Sequence, residues 1–162
     1  MPIEAQVASA ALEAATSPEQ IFDLATVRRL ELDLDYAGAV TPPEAWQLVR
    51  SGAAALIDVR TAPEYKFVGH VPQSVNVEWR GEDPAPRAKF IDDLRRIADP
   101  DAPLLFLCRS AVRSDAAAAA ATEGGFTRVY NVLEGFEGQR DAAQQRGHIN
   151  GWRRAGLPWI QD

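Results

Sequence analysis

The chain of 162 residues contains a single cysteine, Cys108. An intramolecular disulfide is therefore impossible, and a Cys-rich zinc site is excluded. Two histidines are too few for a His-based metal cluster, so no metal or other cofactor is expected. Basic charge is also scarce: 17 Lys and Arg face 23 Asp and Glu, for a net charge of -6. Without a basic block, nucleic acid and anionic membrane surfaces are poor partners. No stretch approaches the roughly 18 apolar residues that a bilayer span needs. The first residues carry Glu4 and Glu13 and no basic leader, so no secretory signal is expected. These absences predict a cytoplasmic protein in a reducing compartment.

What remains is an ordinary globular composition, 46% hydrophobic and 25% charged. The length suits one domain with an arm. Residues 1–36 are Ala-rich and read as a helical arm. Ser17, Pro18 and Gln20 form a helix start, with Ile21, Leu24 and Val27 as its apolar stripe. The arm is expected to pack on the domain or to make contacts in a homodimer. Thr41 and Glu44 repeat the capping-box spacing, and Gly52 stops that helix. Ala53 to Val59 reads as a buried strand, Thr61 to Phe67 as a short helix, and Val75 to Val77 as a short strand. Phe90, Ile91, Leu94 and Ile97 keep helical spacing. Leu104 to Leu107 is the continuous apolar run of a central parallel strand. A helix with six consecutive alanines, Ala116 to Ala121, can approach the sheet closely before Gly124 and Gly125 end it. Thr127 to Val132 is the next strand, and Trp152 to Ala155 reads as a last helix. Alternation of this kind implies an α/β domain with a mostly parallel sheet flanked by helices.

Ligands of open α/β sheets bind at the carboxyl ends of the strands. Cys108 stands at such an end, followed by Arg109, Ser110, Ala111, Val112, Arg113 and Ser114. A helix is expected to begin at the end of this loop, capped by Ser114. A lone cysteine after an apolar strand is often only a small buried hydrophobe. Two arginines and two serines in the next six residues do not belong to a core. Inward N–H groups, a helix N-terminus and two guanidinium groups would favour a thiolate and hold an incoming anion. Tyrosine-type phosphatases resemble this loop but need Cys-x5-Arg, and here Cys108 and Arg113 have only four residues between them.

The six-residue loop from Cys108 to Arg113 resembles the active-site loop of rhodanese sulfurtransferases. Leu56-Ile57-Asp58-Val59-Arg60 with Glu64-Tyr65, and Gly69-His70-Val71-Pro72 with Val75-Asn76-Val77, resemble further motifs of that family. So do Tyr130 to Gly135 and Trp152 to Pro158. The resemblance implies a rhodanese-like α/β domain over residues 37–162. Its central five-stranded sheet, mostly parallel, would carry helices on both faces. It also implies sulfurtransferase activity. Cys108 would take sulfane sulfur from a donor such as thiosulfate, hold it as a persulfide, and pass it to cyanide or a thiol. Residues 109–114 would bind substrate. Asp58 and Arg60, on the same rim, are expected to pair and brace the loops. The competing reading is a sulfur-carrier or protein-binding module with little turnover of its own.

Three features depart from the family pattern. Ala111 stands where glycine is frequent, and alanine tolerates positive φ poorly. Gln73 likewise replaces a frequent glycine. An insertion at about 137–150, mostly polar, precedes Trp152 and is expected to border the pocket and narrow the choice of acceptor.

Overall fold

The computed structural model describes residues 17–162, so the first sixteen residues of the expected arm lie outside the described part. Helix α1 (Pro18–Leu32) starts with a complete capping box: Ser17 Oγ accepts from the Gln20 amide, and Gln20 accepts from the Ser17 amide. Its packed face is Ile21 and Ala25, which are buried, whereas Leu24 and Val27 are 42% and 49% exposed. The expected stripe is thus displaced around the helix. The reason lies in strand β1 (Gly38–Val40): a Cβ on Gly38 would come within 2.3 Å of the Ala25 carbonyl oxygen. Glycine at 38 lets α1 settle directly on the sheet edge, and Ala25 is the residue that meets it. Arg28 completes the junction. It donates to the Ala39 carbonyl and forms a two-point pair with buried Glu44 at 2.6 and 3.0 Å. Glu44 also closes the capping box of α2 (Pro42–Arg50) with Thr41.

The remaining elements are β2 (Ala55–Asp58), a π-helical turn (Glu64–Val68), β3 (Val75–Asn76), α3 (Pro84–Ile97), β4 (Leu104–Leu107), α4 (Val112–Glu123) and β5 (Val129–Val132). The five strands form one sheet in the order β1-β5-β4-β2-β3, and every pairing is parallel. No described helix is long and apolar enough to cross a membrane.

Side-chain alternation sorts the core into two layers. Leu104, Phe106 and Cys108 face α3 and α4, with Phe90, Leu94, Ala117 and Ala121. Leu105 and Leu107 face α1 and α2, with Ile21, Ala25, Leu48 and Trp152. Buried Ala117, Ala118, Ala120 and Ala121 bring α4 close to the sheet, which places its N-terminus beside the end of β4.

Several local expectations change. The segment after Thr61 widens into a π turn that ends at Gly69 with φ 118°. Trp152 to Ala155 is a turn, not a helix. Gly151 and Gly156, at φ 106° and 76°, bracket a segment too short to nucleate one. Buried Trp152 still anchors it, donating from Nε1 to the Pro158 carbonyl at 2.9 Å. The cap of helix α4 stands three residues earlier than expected, so Ser114 lies inside its first turn. The residue at the cap position is Ala111, held left-handed at φ 75° and ψ -2°. Gln73 also has positive φ, 72°.

A left-handed alanine costs about 1–2 kcal/mol. Ala111→Gly is therefore expected to raise unfolding stability by about 1 kcal/mol, measured by urea denaturation. No gain would mean that the neighbouring contacts already relieve the strain.

Candidate active site

Cys108 follows β4 and is 1% exposed. The loop reverses direction at once, and its first two carbonyls turn onto the segment after β5. The Phe136 amide donates to the Cys108 carbonyl at 2.8 Å, and the Glu137 and Gly138 amides donate to that of Arg109 at 3.0 and 3.3 Å. Gly135 makes this approach possible, because a Cβ there would lie 2.4 Å from the Arg109 carbonyl oxygen. The sulfur faces the first turn of α4, where amides lack intrahelical acceptors. The Ser114 amide donates to Cys108 Sγ at 3.3 Å, and Ser114 Oγ lies 3.2 Å from the same sulfur.

The predicted site residues divide into those at the sulfur and those on the rim. Ser114 is buried against Cys108. Arg109 is exposed, and Val112, at 73% exposure, contributes only backbone to the loop. Ser110 and Ala111 are half-buried. Arg113 is not a free charge. Its guanidinium makes two parallel bonds to Glu64 at 2.7 and 2.8 Å. Those bonds pull the Glu64 carboxyl down to about 2 and push Arg113 above its ordinary value.

Asp58 and Arg60 pair with each other, fully buried, through Nε at 3.0 Å and Nη2 at 2.6 Å. Arg60 also donates to the Gly69 carbonyl and stacks 4.4 Å from the centroid of Phe136. The pair thus supports the very residue whose amide holds the Cys108 carbonyl, and it does so without touching the sulfur.

Sequence reasoning missed three contributors. Glu64 was legible as part of a motif with Tyr65, and it also caps the turn with Thr61. Nothing in the spacing announces a partner 49 positions away. Asn131 appeared only as part of a motif, yet its buried side chain bonds both Ser114 and Ala111. Tyr36 carries no signal at all and reaches Asp115 at the start of α4.

The insertion is a tied loop. Asp141 gathers the Ala143 and Gln145 amides and His148 Nδ1, and the Gly147 amide returns to the Glu137 carbonyl. Arg146 donates at 2.7 Å to the carbonyl of Gly138, whose amide, with that of Glu137, clamps Arg109. Its base thereby adjoins the active-site loop.

Residues 41–142 match the family model described as Rhodanese-like domain. A thiosulfate sulfurtransferase, GlpE, of Pseudomonas syringae pv. syringae is 36% identical over 96 residues, spanning 59% of this chain and 81% of that protein. The crystal structure of Rv0390 from M. tuberculosis superposes with a TM-score of 0.68 at 45% identity, covering 78% of this chain and 99% of that one. The solution structure of a Rhodanese-like domain from Anabaena sp. shares the fold, with a TM-score of 0.56 at 14% identity over 76% of this chain and 79% of that one. With its motifs in register on a parallel five-stranded sheet and a family match over most of its length, the chain belongs to the rhodanese-like family.

Proposed function

We propose that the protein is a cytoplasmic sulfurtransferase that moves sulfane sulfur from a thiosulfate-type donor to cyanide or a cellular thiol. The observation that carries this reading is the only cysteine of the chain, set at a strand end against the first turn of α4. That the GlpE relative is a thiosulfate sulfurtransferase supports the donor class.

The thiolate of Cys108 attacks the outer sulfur of thiosulfate. A new S–S bond forms, the old one breaks, and sulfite leaves with the electron pair. The resulting persulfide is anionic, and the amides at the start of α4 with the helix dipole stabilise it. An acceptor then attacks the outer sulfur and the Cys108 thiolate is regenerated. One cysteine suffices because no second thiol is needed to resolve the intermediate. Arg109, exposed at the mouth, meets the incoming anion. Arg113 adds a fixed positive charge whose place is set by Glu64. Asp58 and Arg60 keep the loop in position, and the insertion edges the acceptor side.

Incubation with thiosulfate is expected to add one sulfur atom by mass, removable by cyanide or reductant. Cys108→Ser should abolish the adduct, and Arg113→Ala should weaken loading more than stability. A folded Cys108→Ser variant that still loads sulfur would refute the assignment. Deletion of residues 139–148 is expected to change KM for acceptors and leave loading intact, and unchanged kinetics with every acceptor would remove the insertion from the site.

Glu64 titrates lower in the folded protein than in the unfolded chain, so its ionised form stabilises the fold. That contribution is complete above the unfolded value near 4.5 and is lost as pH falls towards about 2. The stability gap between wild type and Glu64→Gln should therefore be constant above about pH 5 and close between about 4.5 and 2. Urea midpoints measured across that range check this, and a gap independent of pH overturns it.

A further inference from the structure

The hydrogen bonds around Ser114 have a direction. The Ala111 carbonyl can only accept, so the amide group of Asn131 that faces it at 3.2 Å is the NH2. Asn131 Oδ1 consequently faces Ser114, whose Oγ lies 2.5 Å away. Ser114 owns one hydroxyl proton and gives it to Oδ1. Its oxygen then presents a lone pair to Cys108 Sγ at 3.2 Å, the arrangement that suits an S–H donor. Tyr36 lies beyond Asn131 and donates to Asp115 Oδ1 at 2.5 Å. Burial and the Asp115 carboxylate push the Tyr36 phenol well above its ordinary value. The Ala111 carbonyl and the Ser114 hydroxyl hold the Asn131 amide from both sides in one orientation.

We propose that Asn131 is a positioning residue that sets which way the Ser114 proton points, and so whether the Cys108 sulfur meets a hydrogen-bond acceptor or a donor. The proposal rests on Cys108 being the reacting sulfur. In the resting thiol, S–H donates to Ser114 and Ser114 donates to Asn131. In the persulfide, charge sits on the outer sulfur, Sγ is a neutral divalent atom, and Ser114 stays on Asn131. When an acceptor anion attacks the outer sulfur, its bond to that sulfur forms and the S–S bond breaks. The electron pair goes to Sγ. The Ser114 hydroxyl then turns from Asn131 to the new thiolate, and no proton changes owner. Asn131 Oδ1 loses its buried donor in that state, which limits how readily the thiolate is held.

Charged groups also stand on the elements around Cys108: Arg109 on the loop, Arg113 and Asp115 on α4, the Asp58–Arg60 pair at and just past the end of β2, and Glu64 on the π turn. They stay in place in the variants below, so a shift between variants reports Asn131 and Ser114.

The test is the pH–rate profile for alkylation of Cys108 by iodoacetamide. Asn131→Ala frees the Ser114 proton for sulfur and should move the profile about half a unit to one unit lower, a rise of about three- to tenfold at pH 6.5. Ser114→Ala should move it higher. With Ser114→Ala already present, Asn131→Ala should add nothing, whereas a merely structural effect on the loop would persist. If Asn131→Ala fails to fold, Asn131→Leu, close in volume and free of polar atoms, should reproduce its shift. A profile that stays put, rises, or moves equally in both backgrounds overturns the proposal. Alkylation needs no sulfur donor. An intact Asn131 effect without thiosulfate loading therefore rejects the proposed function alone, and loading without the Asn131 effect rejects only this inference.

Discussion

The carboxyl edge of the sheet depends on two carbonyls that the active-site loop cannot satisfy by itself. Those of Cys108 and Arg109 point away from the sulfur and must find donors near the interior. The amides of Phe136, Glu137 and Gly138 supply them. From this one clamp the surrounding sequence follows. Gly135 has no side chain because a Cβ would collide with Arg109. Phe136 is held beneath the guanidinium of Arg60, and Arg60 is neutralised by Asp58. Glu134 accepts from the Gly151 amide, which ties the return of the insertion to the same strand end. Residues scattered over about a hundred positions serve a single local need, to keep the loop turned so that the sulfur faces the start of α4.

The sheet explains why that need arises here. A parallel strand has no tight return to its neighbour, so the chain must leave β4 and enter a helix. The alternation of β4 directs Leu105 and Leu107 to one layer and Phe106 and Cys108 to the other. Cys108 therefore begins on the side of α4, and the small face of Ala117, Ala118, Ala120 and Ala121 draws that helix in. The approach that buries these alanines also brings the Ser114 amide within reach of the sulfur.

Much of this was legible in the sequence. Leu104 to Leu107 announced the central strand, and Thr41 with Glu44 and Ser17 with Gln20 announced two helix starts that form as capping boxes. The candidate active-site loop stood out because charged and hydroxyl residues follow an apolar run directly. What was not legible is pairing at a distance. Strand β1 is three residues long and has too little pattern of its own; pairing with β5 defines it. Leu24 and Val27 look as apolar as Ile21, and only contact with Gly38 decides which face turns inward. Ser114 has the chemistry of a cap, yet the chain takes its left-handed turn earlier, at Ala111, because the loop must close in fewer residues.

That turn shows how strain and function share one set of contacts. A left-handed alanine gives up about 1–2 kcal/mol, a sizeable part of the 5–15 kcal/mol that separates folded from unfolded states in ordinary domains. It persists only where neighbours over-determine the backbone. Here the Ala111 carbonyl receives both the Asp115 amide and Asn131 Nδ2, each at 3.2 Å. Asn131 makes the second bond only while its other end faces Ser114. The amide that steadies the strained residue is thus the amide that accepts the hydrogen bond of the hydroxyl next to the sulfur. Backbone geometry at Ala111 and hydrogen bonding at Cys108 draw on the two ends of one buried side chain.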